Sequence, residues 1–417
     1  MMNQQPVSRL SLCDAIAFEA DPAPAELGGA YAKIHASAFS DAGDVAFSVS
    51  LKGSKTDGAV LLRTADGPRV IVRSGDRSPE GGRFAAFGEL DATFIRAGRL
   101  ESSIVLFRAT LEGCAAAEGL FLWTPDELKP VALAGGTSPR GKTYQSFSQI
   151  TIDSLRGDSP KLAFVAAMED GSESIILQPL FGDATPNEVL ATGDLLKENV
   201  VDGFVISRMG LSLSCVAGLR HPQLKRKRTR EVIALDRGFI LHDSPLKEKT
   251  KMPSFGRLKH IVGRPAVNFQ DGFVALEFED GATALAQRMM DGDACIFARS
   301  GGPAPGFSGP FVESFGPPVA NSLSPNVPGF APCFWIASAV RLPRGKKALW
   351  LGRYTNKAPL LGEAVLVRPE EIRFENGPER SFRSFSPVKL NNHGDLLLRG
   401  SVQGEDGARE GIFVWKN

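Results

Sequence analysis

One apolar run returns seven times along the chain, and its spacing limits the possible folds more than any other feature. It stands as "GDVAFSVSL" from Gly43, "SSIVLFRATL" from Ser102, "PKLAFVAAM" from Pro160 and "LSLSCVAGL" from Leu211. It returns as "GFVALEF" from Gly272, "PCFWIASAV" from Pro332 and "GDLLLRGSV" from Gly394, a period of about 59 residues. After each copy come a turn and a second run, as in "DGAVLLRTADG", "EGLFLWTPDE" and "EGIFVWKN". A third run follows six of the seven copies, as in "PRVIVRSGD", "KPVALAGG" and "NEVLATGD". The runs are short, rich in Val, Ile, Leu and Phe, and bounded by Gly, Asp or Pro, so they read as strands and hairpins. The 44 Gly and 28 Pro of the 417 residues suit many tight turns rather than long helices.

The missing third run is at the other end of the chain. "DAIAFEADPAP", from Asp14, matches "RVIVRSGDRSP", with Asp21 against Asp76 and Pro24 against Pro79. Tyr31 and Ile34 then keep the three-residue spacing of Phe84 and Phe87. The opening segment therefore reads as the completion of the unit that breaks off at Asn417. A first strand that completes the last sheet closes a ring and leaves no unpaired edge. The expected fold is all-β: a single seven-bladed β-propeller with four-stranded blades over residues 1–417. Its units are approximately 35–89, 90–149, 150–206, 207–260, 261–316, 317–387, and 388–417 completed by 1–34. The fourth strand of the first unit is expected around "FAAFGELDATF". An open β-solenoid is the alternative, but it leaves the terminal half-units unexplained and needs distinct capping repeats.

A second signature lies between the third run of one unit and the start of the next. It stands as "GDRSPEGGRFAAF" (Gly75 to Phe87) and "GGTSPRGKTYQSF" (Gly135 to Phe147). Looser forms are "GGPAPGFSGPFVESF" (Gly301 to Phe315) and "NGPERSFRSF" (Asn376 to Phe385). Its glycines admit positive φ, and Pro79, Pro139 and Pro305 fix φ, which makes the segment a rigid turn. The paired aromatics (Phe84 with Phe87, Tyr144 with Phe147, Phe382 with Phe385) then anchor the crossing to the next blade. A Gly-rich turn cradles phosphate where a helix N-terminus follows, and no helix is expected here. With "SDAGDVAF", "NNHGDLLL", "EGLFLW" and "EGIFVW", this signature makes the unit similar to a bacterial family of tandem repeats with an NxxGxxxF core. The resemblance is sharp in the first, second and last units, and it implies a propeller-like fold and no reaction. The repeated Gly-His and Trp-Asp pairs and the Ser-x-Asp-x-Gly-x-Thr-Trp boxes of other propellers are absent.

The formal charge is +1, so no global field points to nucleic acid or an acidic membrane. No window approaches the roughly 20 apolar residues of a membrane span, and "MMNQQPVSRLSLCDAIAFEADPAP" has no apolar core behind a basic start. A soluble cytoplasmic protein is expected. Cys13, Cys114, Cys215, Cys295 and Cys333 are far apart, without CxxC or Cys/His spacing, and read as buried free thiols of a reducing compartment. No metal and no cofactor is expected. His35, His221, His242, His260 and His393 occupy different phases of the repeat, which argues against a ring of channel-facing histidines. His35 and His393 are expected just before or within the turn that leads to the apolar run. GxSxG, HExxH and DxDxDG are absent, and Asp-Gly pairs such as Asp57-Gly58 and Asp280-Gly281 read as hairpin turns.

One hairpin departs from the repeat. The fourth unit carries "LRHPQLKRKRTREVIAL", with Lys225, Arg226, Lys227, Arg228 and Arg230 clustered on one loop. Such a cluster grips an acidic protein surface or, as a second possibility, a nucleic-acid backbone. The plainer reading is a solvated tip whose charges discourage edge pairing. The sixth unit adds the Pro-rich "SLSPNVPGFAPCFW", either a contact loop or an irregular connection. The expected function is a non-catalytic protein-binding or scaffold propeller, a subunit or accessory factor of a larger assembly. The alternative is a propeller hydrolase or lyase with its site in the central channel. The two differ at the channel mouth: convergent carboxylates, histidines or a metal-sized cluster favour chemistry, whereas apolar or small residues favour scaffolding.

Overall fold

A computed structural model of the chain describes residues 11–416 apart from 98–99, 153–159, 182–184, 197, 208–212, 223–227, 237–238, 242–245, 253, 269–270, 289–293, 303–311, 322–332, 356–363, 375–380 and 405–406. The strands gather into seven sheets, which form the blades of a β-propeller. Blade one takes Ala30–Phe39, Val45–Lys52, Gly58–Thr64 and Gly67–Arg73. Blade two takes Gly81–Ala97, Leu100–Glu112, Glu118–Trp123 and Leu128–Leu133; blade three takes Tyr144–Ile152, Lys161–Met168, Glu173–Pro179 and Asn187–Ala191. Blade four takes Asn199–Ile206, Leu213–Arg220, Arg228–Asp236 and Phe239–Leu241; blade five takes Gly256–Asn268, Asp271–Phe278, Thr283–Arg288 and Ala294–Arg299. Blade six takes Ser314–Ala320, Cys333–Arg341, Lys347–Thr355 and Ala364–Val367. Within every blade neighbouring strands run antiparallel.

Blade seven closes the ring. Ser381–Leu390, Leu396–Gly404 and Gly407–Trp415 are completed by Ser11–Phe18 from the other end of the chain. Asp14 pairs with Val414, Ala15 with Phe413 and Phe18 with Gly411. Arg409 reinforces this seam. Its guanidinium donates to the Glu19 carbonyl at 2.7 and 3.1 Å, pairs with Asp21 and lies 5.1 Å above the Phe18 ring. At the far end of the strand Lys416 pairs with Asp14. A short parallel strand, Ile372–Phe374, covers the outer edge of Ser11–Cys13.

The stretch around Phe84–Phe94 corrects an expectation. It is the first strand of blade two, paired with Leu100–Glu112 through Phe84 opposite Leu111 and Asp91 opposite Leu106. It is not the outer strand of the preceding unit. The outer strand of blade one is the third run, Gly67–Arg73, which is largely solvent-accessible. The rigid turn that follows carries the chain over the seam before the next strand begins. In that turn Gly75 N–H donates to the Phe84 carbonyl at 2.7 Å, and Phe84 N–H donates back to the Asp76 carbonyl at 3.0 Å. The Asp76 carboxylate accepts the Arg73 N–H at 2.9 Å; Asp21 and Asp194 do the same for Phe18 and Ala191 at 3.0 and 2.8 Å. Gly81 sits at φ 99°, and a Cβ on Gly82 would run into the Glu112 carbonyl. At Gly82 the inner strand thus passes close to its own blade's hairpin.

Each of seven buried clusters lies between two neighbouring blades rather than within one. Val45, Phe47 and Val49 pack on Leu397, Ile412 and Val414 of blade seven, whereas Ala46, Val60 and Leu62 pack on Phe84 and Phe107 of blade two. The middle strands are therefore covered on both faces, which explains continuous apolar runs where a half-exposed sheet would alternate. Each fully buried Phe or Leu contributes about 1.5–3 kcal/mol. On the face away from the crossings, the NxxG turns clasp adjacent blades. The Asn391 side chain accepts the N–H groups of His393 and Asp395 at 3.0 and 2.8 Å. Asn392 donates to Asp41 at 2.7 Å, and Ser103 donates to Asp44 at 2.6 Å. Burial raises the Asp44 pKa, and the Ser103 hydroxyl opposes that shift. Among the described residues no helix is long and apolar enough to cross a membrane.

Candidate functional site

The first strands of the blades line the axis, as two contacts demonstrate. Lys389 of blade seven reaches Asp91 of blade two, passing over blade one, and Arg264 of blade five reaches Glu89 of blade two. Strand register puts Ala38, Asp91, Thr151, Ala266, Val319 and Lys389 in one layer, with Ser207 filling the place in blade four. Asp91 is 1% exposed and Lys389 7%. One Asp91 oxygen accepts the Lys389 ammonium and the Ala92 N–H, both at 2.9 Å. The other accepts the Thr151 hydroxyl and the Ile152 N–H, both at 3.1 Å. Lys389 also donates to the Ala92 carbonyl at 2.7 Å. All four acceptor positions of the carboxylate are filled, which is what makes a charge tolerable at this depth.

A second polar belt lies toward the crossing face. Gln149 sits in a strand irregularity at φ 51°, and its N–H donates to Glu89 at 2.7 Å. Its amide accepts the Ile206 N–H at 2.8 Å and donates to the Phe204 carbonyl at 3.2 Å. Arg264 donates to the Ile206 carbonyl at 2.7 Å and the Ser207 carbonyl at 3.3 Å, and stands 3.5 Å from Glu89. Blades two, three, four and five are tied together in this way. Glu89, 34% exposed in its side chain, is the carboxylate of the network with access to solvent.

Chemically the axis matches neither anticipated extreme. Carboxylates do converge, but cations and backbone donors occupy them. General acid–base chemistry needs a group able to exchange a proton with substrate, and Asp91 is committed on every side. Among the described residues no group of three or more His, Cys, Asp or Glu is arranged to hold a metal ion. His35 lies inside the strand Ala30–Phe39 rather than before or within a turn; its pKa is lowered by partial burial and by Lys33 and Arg399. His393 is in the turn after Leu390, His260 stands 3.5 Å from Glu248 on blade five, and His221 follows Arg220 on blade four. His242 lies outside the described residues. Cys13, Cys114, Cys215 and Cys295 are free thiols; Cys13 and Cys215 are buried as expected, whereas Cys114 and Cys295 are only half-buried. Burial pushes Cys215 up to about 12 and raises Cys13 as well, so neither supplies a thiolate.

Of the basic hairpin, Lys225, Arg226 and Lys227 lie outside the described residues, as does most of the Pro-rich insertion of the sixth unit. The Arg228 backbone pairs with Arg220, while Arg230 is exposed and its N–H donates to the Glu248 carboxylate at 3.1 Å. The axial residues escaped the sequence reading, although they carry a positional signal. Asp91, Thr151 and Lys389 each follow the second aromatic of their signature (Phe87, Phe147, Phe385) by four residues. A cleft at the seam of blades seven and one, bordered by Asp21, Pro22, Tyr31, Arg63 and Pro68, holds about 230 Å³. That is below the usual range of small-molecule pockets.

A family described as "Family of unknown function (DUF7453)" matches residues 8–187, less than half of the chain. No curated protein matches. Among solved structures, the fucose-specific lectin from Aleuria aurantia is 12% identical, covering 82% of this chain and 96% of its own, at a TM-score of 0.36. Trypanosoma rangeli sialidase is 8% identical, covering 99% and 60%, at 0.39. The Cps50 (Swd1) β-propeller domain from Myceliophteria thermophila is 11% identical, covering 89% and 93%, at 0.36. At such scores the propeller assignment rests on this chain's own sheets, and no ligand or reaction carries over.

Proposed function

We propose that the chain is a non-catalytic binding propeller, a subunit or accessory factor that holds a protein partner on a face of the ring. The buried polar contacts across the axis are the observation that carries this reading. Where a propeller enzyme would gather reacting groups, Asp91, Lys389 and Thr151 are engaged in joining blades seven, two and three. What remains available is the pair of faces, and a rigid ring offers them without the ordering cost of a mobile surface. The contact region is the hairpin of blade four, with Lys225, Arg226, Lys227, Arg228 and Arg230 as its cations. The free thiols support a reducing compartment such as the cytoplasm.

The second reading, a hydrolase or lyase, has one specific support: Glu89, beside Arg264 on the strands that line the axis, is 34% exposed. Affinity purification from the native cell, with mass spectrometry at low and high salt, separates the two. The binding reading expects a stoichiometric partner that is lost when Arg226→Glu and Arg228→Glu are introduced together. Absence of any partner, together with a turnover abolished by Glu89→Gln, would replace it with the enzyme reading.

A further inference from the structure

The basic run of the fourth unit continues in sequence beyond its hairpin. Residues 220–260 hold twelve Lys or Arg against four Asp or Glu, a net +8 within a chain whose total is +1. All other residues together are therefore net acidic. The segment Leu246–Met252, "LKEKTKM", shows how the charge is displayed. Leu246 and Met252 are buried in the core shared by blades four and five. Glu248 turns inward and accepts the N–H groups of Arg230 and Ile261 at 3.1 and 3.2 Å. The lysines between them stay outside: Lys249 and Lys251 are exposed, and Lys247 lies 3.6 Å from Glu231. Arg230, Arg257 and Lys259 are exposed on either side of this segment.

An apolar side chain borders the same surface. Among the described residues the large apolar side chains left exposed are Leu195 (68%) and Val205 (38%), both on blade four. Leu195 pairs with Val200 and Val200 with Arg220, so the three form one row across the sheet, and the Arg220 backbone pairs in turn with that of Arg228. Strands about 4.8 Å apart put Leu195 about 14 Å from Arg228 by backbone position. Directly opposed residues project from the same side of a sheet. Leu219, one position from Arg220, packs into the core shared with blade three, so the row with Leu195 is turned toward the seam with blade five.

The geometry points to a docking site for an acidic segment of another protein that carries an apolar residue among its carboxylates. The proposal rests on the binding-module reading and specifies its partner. The carboxylates lie along Arg230, Lys249, Lys251 and Arg257, and the apolar side chain covers Leu195. A nucleic acid fits less well. Glu279 and Glu277 stand among the cations, 3.9 Å from Arg257 and 2.7 Å from Lys259, where phosphates would be repelled. No aromatic side chain is exposed among the described residues to stack a base.

Fluorescence anisotropy on the full chain tests this with three labelled probes. One is a short Asp/Glu peptide with a single central Leu, the second has Ser in its place, and the third is a single-stranded thymidine oligonucleotide. The Leu peptide binds, and binding weakens as salt rises and the screening length drops below about 10 Å. Lys251→Glu with Arg257→Glu weakens it by about tenfold or more, and the neutral pair Lys251→Gln with Arg257→Gln by less. Leu195→Ser weakens the Leu peptide about fivefold while leaving the Ser peptide unchanged, in line with one lost apolar contact. The proposal is overturned if the oligonucleotide binds as tightly as the Leu peptide, if Leu195→Ser has no effect, or if the Leu peptide does not bind. A cellular partner still lost on reversing Arg226 and Arg228 would then leave the binding module standing and remove only this partner chemistry.

Discussion

Asp91 and Lys389 are 298 positions apart in sequence and 2.9 Å apart in space. Nothing in either local sequence announces the other. Their layer holds a different residue in each blade, so the repeat that exposes the fold conceals the axis. Apolar phase survives drift because many side chains serve a core, whereas one polar contact needs one particular partner. The pair has a sharp energetic signature. Removing one member leaves a buried charge without its counter-ion, which costs about 3–5 kcal/mol. Urea unfolding should therefore show Lys389→Met far less stable than the parent, with part of the loss regained in Asp91→Asn/Lys389→Met, which removes the remaining charge and keeps an oxygen for the Thr151 hydroxyl and the Ile152 N–H. A single variant within about 1 kcal/mol of the parent would mean that water already solvates Asp91 and that the channel is open there.

Among the elements, Ser11–Phe18 was the most readable in sequence and the strand after the rigid turn the least. Ser11–Phe18 keeps the apolar phase of a third run, and Asp21 keeps the place of Asp76, so its sheet follows from the missing copy. Sequence spacing places Gly81–Ala97 one blade too early because it does not say on which side of a turn the seam lies. The register at Asp91 and Leu106 decides it. The closing strand has a consequence of its own. Without residues 1–19, Gly407–Trp415 becomes an open edge, and Phe413 loses its 5.3 Å contact with the Phe18 ring. Size-exclusion chromatography with light scattering should find this truncated chain aggregated or dimeric. A synthetic peptide of residues 8–20, added during refolding, should restore the monomer. A truncated chain that stays monomeric with an unchanged melting temperature would show that ring closure contributes little.

At the scale of the whole molecule, the near-zero net charge hides a strong asymmetry. A field near the surface depends on where charges lie within a Debye length, about 10 Å at 0.1 M salt, and not on their sum over the ring. Blades four and five present Arg230, Lys249, Lys251, Arg257 and Lys259 to solvent, while the remaining residues are acidic in balance. The folded protein should therefore be retained on a cation exchanger at neutral pH despite a formal charge of +1. Reversing Lys249, Lys251 and Arg257 to Glu should abolish that retention. Reversing Lys52, Lys55 and Arg77 to Glu changes the net charge equally, and these exposed cations lie on and beside blade one, away from the basic face. This second variant should still be retained, with a smaller elution shift. Equal loss in the two variants would mean that net charge alone governs adsorption, and the field proposed to draw an acidic partner to blades four and five would have no focus.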